Sequence, residues 1–225
     1  MNSFIVASSK PWHKVSFDKF TKKTNFNWFF VSTPRELRNA LKKNTKFNYL
    51  FFMHWNWKVP QKIFEKYECI CFHMTDLPYG RGGSPLQNLI LEGTKHTILT
   101  AFKMTKEIDG GPIYFKNQMS LNGRAENIYK RADKLSWKII NWIIKNEPVP
   151  KPQKGKSIYF NRRKPKQSLM PKKAKLSKIY DFIRMLDAPT YPLSFIDHGD
   201  FTLEFSHAKL IDNFVEARVM IKKKL

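Results

Sequence analysis

Apolar residues fall into short unbroken runs over the first third of the chain: Phe4–Ala7, Trp28–Val31, Tyr49–Met53 and Cys69–Phe72. Runs of four or five apolar residues without polar alternation are the pattern of strands buried on both faces of a parallel sheet. Helix signals stand between and after them. Ser8–His13 reads as a loop. Thr33-Pro34-Arg35-Glu36 spells a capping box with proline at the first helical position, and predicts a helix through about Lys43. A short helix is expected from about Gln61 to Tyr67. Ser84-Pro85-Leu86-Gln87 repeats the capping-box spelling ahead of a helix to about Glu92. Thr97–Met104 and Ile113–Met119 read as two more strands. From Ala125 to Asn146, Ile128, Ala132, Leu135, Ile139 and Trp142 recur at steps of three and four, one face of a long amphipathic helix.

This alternation implies an α/β fold: a Rossmann-like, mostly parallel sheet with helices on both faces. Glu147-Pro148-Val149-Pro150-Lys151-Pro152 is a stiff break. It sets a catalytic α/β domain over 1–150 apart from a basic linker segment, a helix and a small β extension over 151–225. Leu176, Ile179, Ile183 and Leu186 mark the later helix, and Phe201–Phe205 with Phe214–Ile221 predict a β-hairpin. Those two runs can also pair between subunits, so a homodimer is one expectation.

Composition narrows the class. The 225 residues are 42% hydrophobic and 15% aromatic, which is globular rather than disordered. No apolar run approaches the roughly 20 residues that span a bilayer. The opening Met-Asn-Ser-Phe-Ile-Val-Ala is too short for a signal-peptide core, so a cytoplasmic protein without membrane insertion is expected. Cys69 and Cys71 sit two apart on one strand and cannot easily bridge each other. Lys and Arg number 41 against 18 Asp and Glu, a formal net charge of +23. Such a charge favours nucleic acid, a membrane surface or a phosphorylated substrate. The lysines are scattered, however, and charge alone does not choose among these.

The candidate chemistry lies at His73, where a strand ends and a Pro- and Gly-rich loop begins. Ligands of open α/β sheets sit outside the carboxyl ends of the strands. Asp109, in Glu107-Ile108-Asp109-Gly110-Gly111-Pro112, stands at a second turn of the same kind. No metal site emerges: His73 and Asp76 are only two ligands, and His13, His54, His96, His198 and His207 are scattered.

His73-Met74-Thr75-Asp76-Leu77-Pro78-Tyr79-Gly80-Arg81-Gly82-Gly83-Ser84-Pro85, with Gln87 beyond it, resembles the signature of the formyltransferase superfamily, which includes methionyl-tRNA formyltransferase, glycinamide ribonucleotide transformylase and the sugar N-formyltransferases. Ile108-Asp109-Gly110-Gly111-Pro112 resembles its second motif, and Phe160-Asn161-Arg162-Arg163-Lys164-Pro165 a segment of the nucleotide-sugar members. The resemblance implies formyl transfer from N10-formyltetrahydrofolate to an amine, with His73 as oxyanion donor and Asp109 orienting the imidazole or relaying a proton. It places Cys71 where the family has an asparagine donor, and a thiol donates only weakly. His54, Trp55, Asn56 and Trp57 match the loop that grips the folate. Lys10, Trp12, Asp76, Tyr79, Arg81, Arg162 and Arg163 are candidates for holding a nucleotide-linked substrate.

The reading favoured on these residues is a sugar N-formyltransferase acting on a UDP-linked deoxy-aminosugar. The motif spelling resembles the subgroup of pseudaminic or related nonulosonic acid pathways. Methionyl-tRNA formylation is the alternative, disfavoured because only about 60 residues follow the Phe160–Pro165 segment, little room for an appended barrel domain. A basic RNA-binding protein without activity is the third reading. With a sugar substrate, nucleic acid is not expected as a partner.

Overall fold

In the computed structural model, which describes residues 2–43 and 46–224, the short apolar runs become strands of one sheet. Along the chain come β1 (Ser3–Ala7), α1 (Trp12–Thr21), β2 (Asn27–Val31), α2 (Pro34–Leu41), β3 (Tyr49–Phe52), α3 (Gln61–Lys66) and β4 (Cys69–His73). β5 (Arg81–Gly82), α4 (Pro85–Leu91), β6 (His96–Lys103), β7 (Ile113–Ser120) and α5 (Ala125–Asn146) follow. Beyond them lie β8 (Tyr159–Phe160), α6 (Leu176–Arg184), β9 (Ser194–His198), β10 (Phe201–Ile211) and β11 (Phe214–Lys223).

The main sheet has the order β2-β1-β3-β4-β6-β7. β1 runs parallel to β2 and β3, and β3 parallel to β4, whereas β6 is antiparallel to β4. The sheet is therefore mostly parallel, as the alternation of strands and helices implies. Among the described residues no helix is long and apolar enough to cross a membrane.

Two compact units make up the chain. The first is Met1–Arg81, Ile98–Met119 and Lys130–Tyr159; the second is Gly82–Thr97, Ser120–Tyr129 and Phe160–Leu225. In the first unit the period-two geometry of strands sorts the core into two layers. Ile5, Ala7, Leu50 and Phe52 bury against Leu37 and Ala40 of α2 and Ile63 of α3. On the opposite face Phe4 meets Trp28 and Phe51, and Trp28 in turn meets Phe17 of α1 and Trp137 of α5. Burying side chains of this size stabilises the sheet by roughly 1.5–3 kcal/mol each.

Local signals succeed where the chemistry is complete. Thr33 Oγ1 accepts from the Glu36 N–H at 3.2 Å, and the Glu36 carboxylate reaches back to the Ser32 N–H at 2.6 Å. The second capping box fails. Ser84 has φ 52 and makes no cap bond with its side chain, and Gln87 is buried, donating to the Tyr129 hydroxyl at 3.1 Å and the Met185 carbonyl at 3.2 Å. Proline at the first turn alone starts α4. The loop expected over Ser8–His13 is cut short by α1, whose buried face is His13 and Phe17. A histidine in an apolar position hides that helical stripe.

The second unit holds a three-stranded antiparallel sheet of order β11-β10-β9. The expected hairpin is longer than the sequence suggests. β9 was not anticipated, because Ser-Phe-Ile-Asp-His is short and half polar. Arg184 at the end of α6 donates to the Leu121 carbonyl at 2.7 Å and the Gly123 carbonyl at 2.9 Å.

Candidate active site

His73 ends β4 and is 8% exposed. Its Nε2 lies 2.7 Å from the Gly80 carbonyl oxygen. A carbonyl only accepts, so this nitrogen carries a proton and Nδ1 is the atom left to face the site. Nδ1 lies 3.8 Å from Asp109 Oδ2, with the carboxylate 20% exposed. That spacing is an ion-pair distance outside direct hydrogen-bond reach.

Strand β6 runs against β4, so the chain must double back for Asp109 to meet His73. The turn that does this is tightly specified. Asp109 has φ 51, in the left-handed region. A Cβ at Gly111 would overlap the Lys103 carbonyl oxygen, so glycine is required there. Gln153 splints the turn: its Nε2 donates to the Asp109 carbonyl at 2.7 Å and the Gly111 carbonyl at 2.9 Å. Gln153 Oε1 accepts in turn from Arg81, at 3.2 Å from Nε and 2.7 Å from Nη2.

These contacts correct the place assigned to Arg81. It is 4% exposed and holds Glu107 at 2.5 Å, the Tyr159 hydroxyl at 3.1 Å and Gln153. The guanidinium is engaged by these three side chains, and through Gln153 it supports the Asp109 turn. Asp76 is paired with Lys116 Nζ at 2.5 Å, and the same ammonium donates to the Leu77 carbonyl, so this carboxylate orders the loop. Tyr79 is half-buried on that loop. Arg162 and Arg163 belong to the second unit. Arg162 is exposed, whereas Arg163 is half-buried over the Phe182 ring and donates to the Gln167 carbonyl. The Arg163 fork is thus turned to Gln167, whereas Arg162 stays at the surface.

Cys71 lies two residues before His73 on the same strand. Burial, then the charge of Asp109 and the neighbouring Cys69, push its thiol well above its ordinary value. It is a protonated, weakly donating group, not a thiolate nucleophile. Among the expected folate-loop residues, Trp55 packs on Phe52 and meets the Trp57 ring edge at 4.9 Å between centroids. Trp57 and Asn56 are exposed.

His54 is placed differently from its loop neighbours. Its backbone has φ 51, and its Nδ1 lies 2.8 Å from His13 Nε2. Lys10, 7% exposed, and Trp12 lie on the same side: the Trp12 ring meets the His54 ring edge-on, and Lys10 Nζ sits over Trp12. Burial, and then the charges of His13, Lys10 and His73, hold the His54 imidazole well below its ordinary value. His13, Asp133 and Gln153 are site neighbours that the sequence reading missed. Only the i, i+4 partnership of His13 with Phe17 pointed inward, and nothing local marks Asp133 or Gln153.

An α/β sheet with a histidine at the end of a central strand and an Asp-Gly-Gly turn folded back beside it defines a formyltransferase-type fold. A solved methionyl-tRNA formyltransferase from Clostridium thermocellum is 41% identical over 99% of this chain and 100% of that one, with a TM-score of 0.95. This chain belongs to the methionyl-tRNA formyltransferase family. The family model "Methionyl-tRNA formyltransferase, C-terminal domain" matches residues 165–222. A curated methionyl-tRNA formyltransferase from Rickettsia bellii is 28% identical over 147 residues, covering 61% of this chain and 48% of that protein. The chain thus spans about half the length, or less, of the curated relatives it matches.

The sugar N-formyltransferase reading is corrected by these findings. A sugar N-formyltransferase from Shewanella sp FDAARGOS_354 shares 17% identity at a TM-score of 0.67, over 94% of this chain and 99% of that one, which is likeness of fold alone. The objection to the methionyl-tRNA alternative was lack of room for an appended domain. It fails because residues 165–222 themselves match that C-terminal domain. The UDP-aminosugar partner and the nonulosonic acid pathway fall with it.

Proposed function

We propose that this chain transfers the formyl group of N10-formyltetrahydrofolate to the amino group of methionyl-tRNA. One observation carries the reading. In a chain alignable end to end with a methionyl-tRNA formyltransferase, His73 anchors Nε2 on the Gly80 carbonyl and turns Nδ1 toward Asp109 at 3.8 Å.

The residues suit the chemistry. Attack of an amine on the formyl carbon builds an oxyanion, which needs a charged donor within hydrogen-bond reach. A protonated His73 has Nδ1–H for that purpose while Nε2 stays fixed on Gly80. Asp109 stands 3.8 Å from that same Nδ1, where its carboxylate faces the donor while Gly80 holds the far side of the ring. The Cys71 thiol adds a weaker donor. Trp55 and Trp57 offer flat apolar surface suited to the folate heterocycle. Nucleic acid, not expected with a sugar substrate, becomes the acceptor's carrier. The net charge of +23 fits it, and exposed Lys166, Lys172, Lys173, Lys175, Lys178 and Lys222 lie within the segment that resembles the C-terminal domain.

The test is direct. The chain is incubated with methionyl-tRNA and N10-formyltetrahydrofolate, and formylmethionine released by deacylation is measured by mass spectrometry. Formylmethionine should form with the wild type and about 10²–10⁴ times more slowly with His73→Ala. Its absence from the wild-type reaction would overturn the reading.

A further inference from the structure

Three titratable side chains form a continuous line in the first unit, apart from the His73–Asp109 pair. Asp133 Oδ1, on α5, lies 2.6 Å from His13 Nδ1, and His13 Nε2 lies 2.8 Å from His54 Nδ1. Proton positions along the line follow from donor chemistry. An ionised carboxylate only accepts, so His13 Nδ1 donates to Asp133. In a neutral His13 ring, Nε2 must then accept, so His54 Nδ1 is the donor. The lone pair of His54 consequently stands on Nε2. Ser16 fixes the far end, donating to the same Asp133 oxygen at 2.9 Å while accepting from Trp137 Nε1 at 2.9 Å.

The middle of the line is sealed from water, and its Asp133 end is less so. His13 is 1% exposed, and Asp133 retains 12% of its side-chain surface to water. His54 follows β3 at the carboxyl end of the sheet. Phe52 of β3 pairs with Cys71 of β4, so His54 leaves β3 at the end of the sheet where β4 reaches His73, and the charge of His73 is felt at its ring. Ala7 pairs with Phe52, so Ser9 is level with His54, and Ser9 Oγ donates to the His54 carbonyl at 2.5 Å. The charged and titratable groups that His54 feels are His13 from α1, Lys10 from the preceding loop and His73 from β4. Lys10 and His73 both oppose a positive charge on His54, and Asp133 balances one on His13.

We propose that His54, His13 and Asp133 form a proton-withdrawing chain that takes the proton released when the acceptor amine is formylated. The inference rests on the formyl-transfer reading above. At neutral pH an α-amino group is largely an ammonium, with a pKa of about 7.7–8.0, and has no lone pair with which to attack. One ammonium N–H bond breaks as His54 Nε2–H forms. In the same movement the His54 Nδ1–H passes to His13 Nε2, so His54 stays neutral and the imidazolium forms on His13, against the Asp133 carboxylate. The freed lone pair forms the N–C bond to the formyl carbon. The C–N10 bond breaks with its electron pair on N10, which takes a second amine proton. The products are the formamide, tetrahydrofolate and one proton, returned to water at Asp133.

The test uses the whole chain with methionyl-tRNA and N10-formyltetrahydrofolate. His54→Gly suits the position, because φ 51 is comfortable for glycine and adds no backbone strain. Between pH 6 and 7 its kcat should fall by about 100-fold, the scale of a lost general base, with KM for methionyl-tRNA unchanged. The deficit should shrink toward pH 9, as solvent deprotonates the amine, and added imidazole should restore the rate in proportion to its concentration. Asp133→Asn should show the same pH-dependent deficit at smaller size. An undiminished rate, or a loss that is constant with pH and indifferent to imidazole, would overturn the chain and leave the transferase reading standing. A wild type that formylates nothing would overturn both.

Discussion

His13 and Asp133 meet at 2.6 Å with the imidazole side chain 1% exposed, whereas His73 and Asp109 stand 3.8 Å apart with side chains 9% and 20% exposed. The same two residue types are thus held on opposite plans. His13 has both nitrogens engaged by side chains, and its carboxylate partner is shared with Ser16. His73 has one nitrogen on a backbone carbonyl and the other turned to a carboxylate beyond hydrogen-bond reach. A closed pair leaves no N–H for an outside group and only lets a proton pass along its own line. An open pair keeps one N–H direction for a group that arrives from outside, which is what oxyanion stabilisation requires.

The sharpest way to break this comparison is to remove the open pair. His73→Ala and Asp109→Asn should each lower kcat by about 10²–10⁴ in formyl transfer, the range of a lost acid–base or oxyanion group. Unfolding midpoints should move little, because neither side chain fills the core. A variant of either residue with wild-type turnover would dissolve the distinction.

A smaller effect tests how the open pair is kept at its distance. Gln153 bonds two backbone carbonyls of the Asp109 turn, and Arg81 holds Gln153 from behind. Gln153→Ala removes this donor from both carbonyls, at a cost of about 1–3 kcal/mol. Most of that cost should appear as a wandering Asp109 rather than as unfolding, so kcat should drop about tenfold with little change in KM. Steady-state kinetics with a thermal melt separates the two outcomes.

The closed side has its own signature in stability. His54 is held well below the ordinary histidine value of 6.5, by burial first and by nearby positive groups second. As pH falls through 6.5 the unfolded chain takes up a proton that folded His54 refuses. The unfolded state then binds more protons, and stability declines with acidification. Above 6.5 both states are neutral at this residue and the contribution vanishes. Melting temperatures from pH 5 to 8 should therefore fall more steeply on the acid side for the wild type than for His54→Gly.

What the sequence disclosed and what it concealed follow the same division. His73 and Asp109 were legible because each sits in a local motif whose glycines and prolines force a particular turn. The parallel strands were legible because burial on both faces leaves unbroken apolar runs. His13, Asp133 and Gln153 were not, because their partners are 41, 120 and 44 positions away in the chain. Arg81 misled for a related reason. An arginine in a Gly-rich loop looks the same whether its fork meets a phosphate outside or Gln153 and Glu107 inside. The substrate was misjudged at the C-terminal segment, where β9 and the full length of β10 and β11 lack a clean alternation. Seen as one hairpin the segment looked too small, whereas residues 165–222 match the C-terminal domain model of the family.

Cys71 lies between the two plans and gives the smallest expected effect. It shares a strand with His73, yet burial and Asp109 keep its thiol protonated. A thiol in that state cannot form a covalent formyl intermediate, and as a hydrogen-bond donor it is weak. Cys71→Ser keeps a small donor in the same place, so kcat should stay within about one order of magnitude of wild type, the effect of one modest neutral hydrogen bond. Rates of single-turnover formylation, with and without a thiol-alkylating reagent, read this out. A loss beyond about 10³-fold, on the scale of a missing nucleophile, would return Cys71 to the reacting centre. His73 and Asp109 would then be its supports rather than the principal pair.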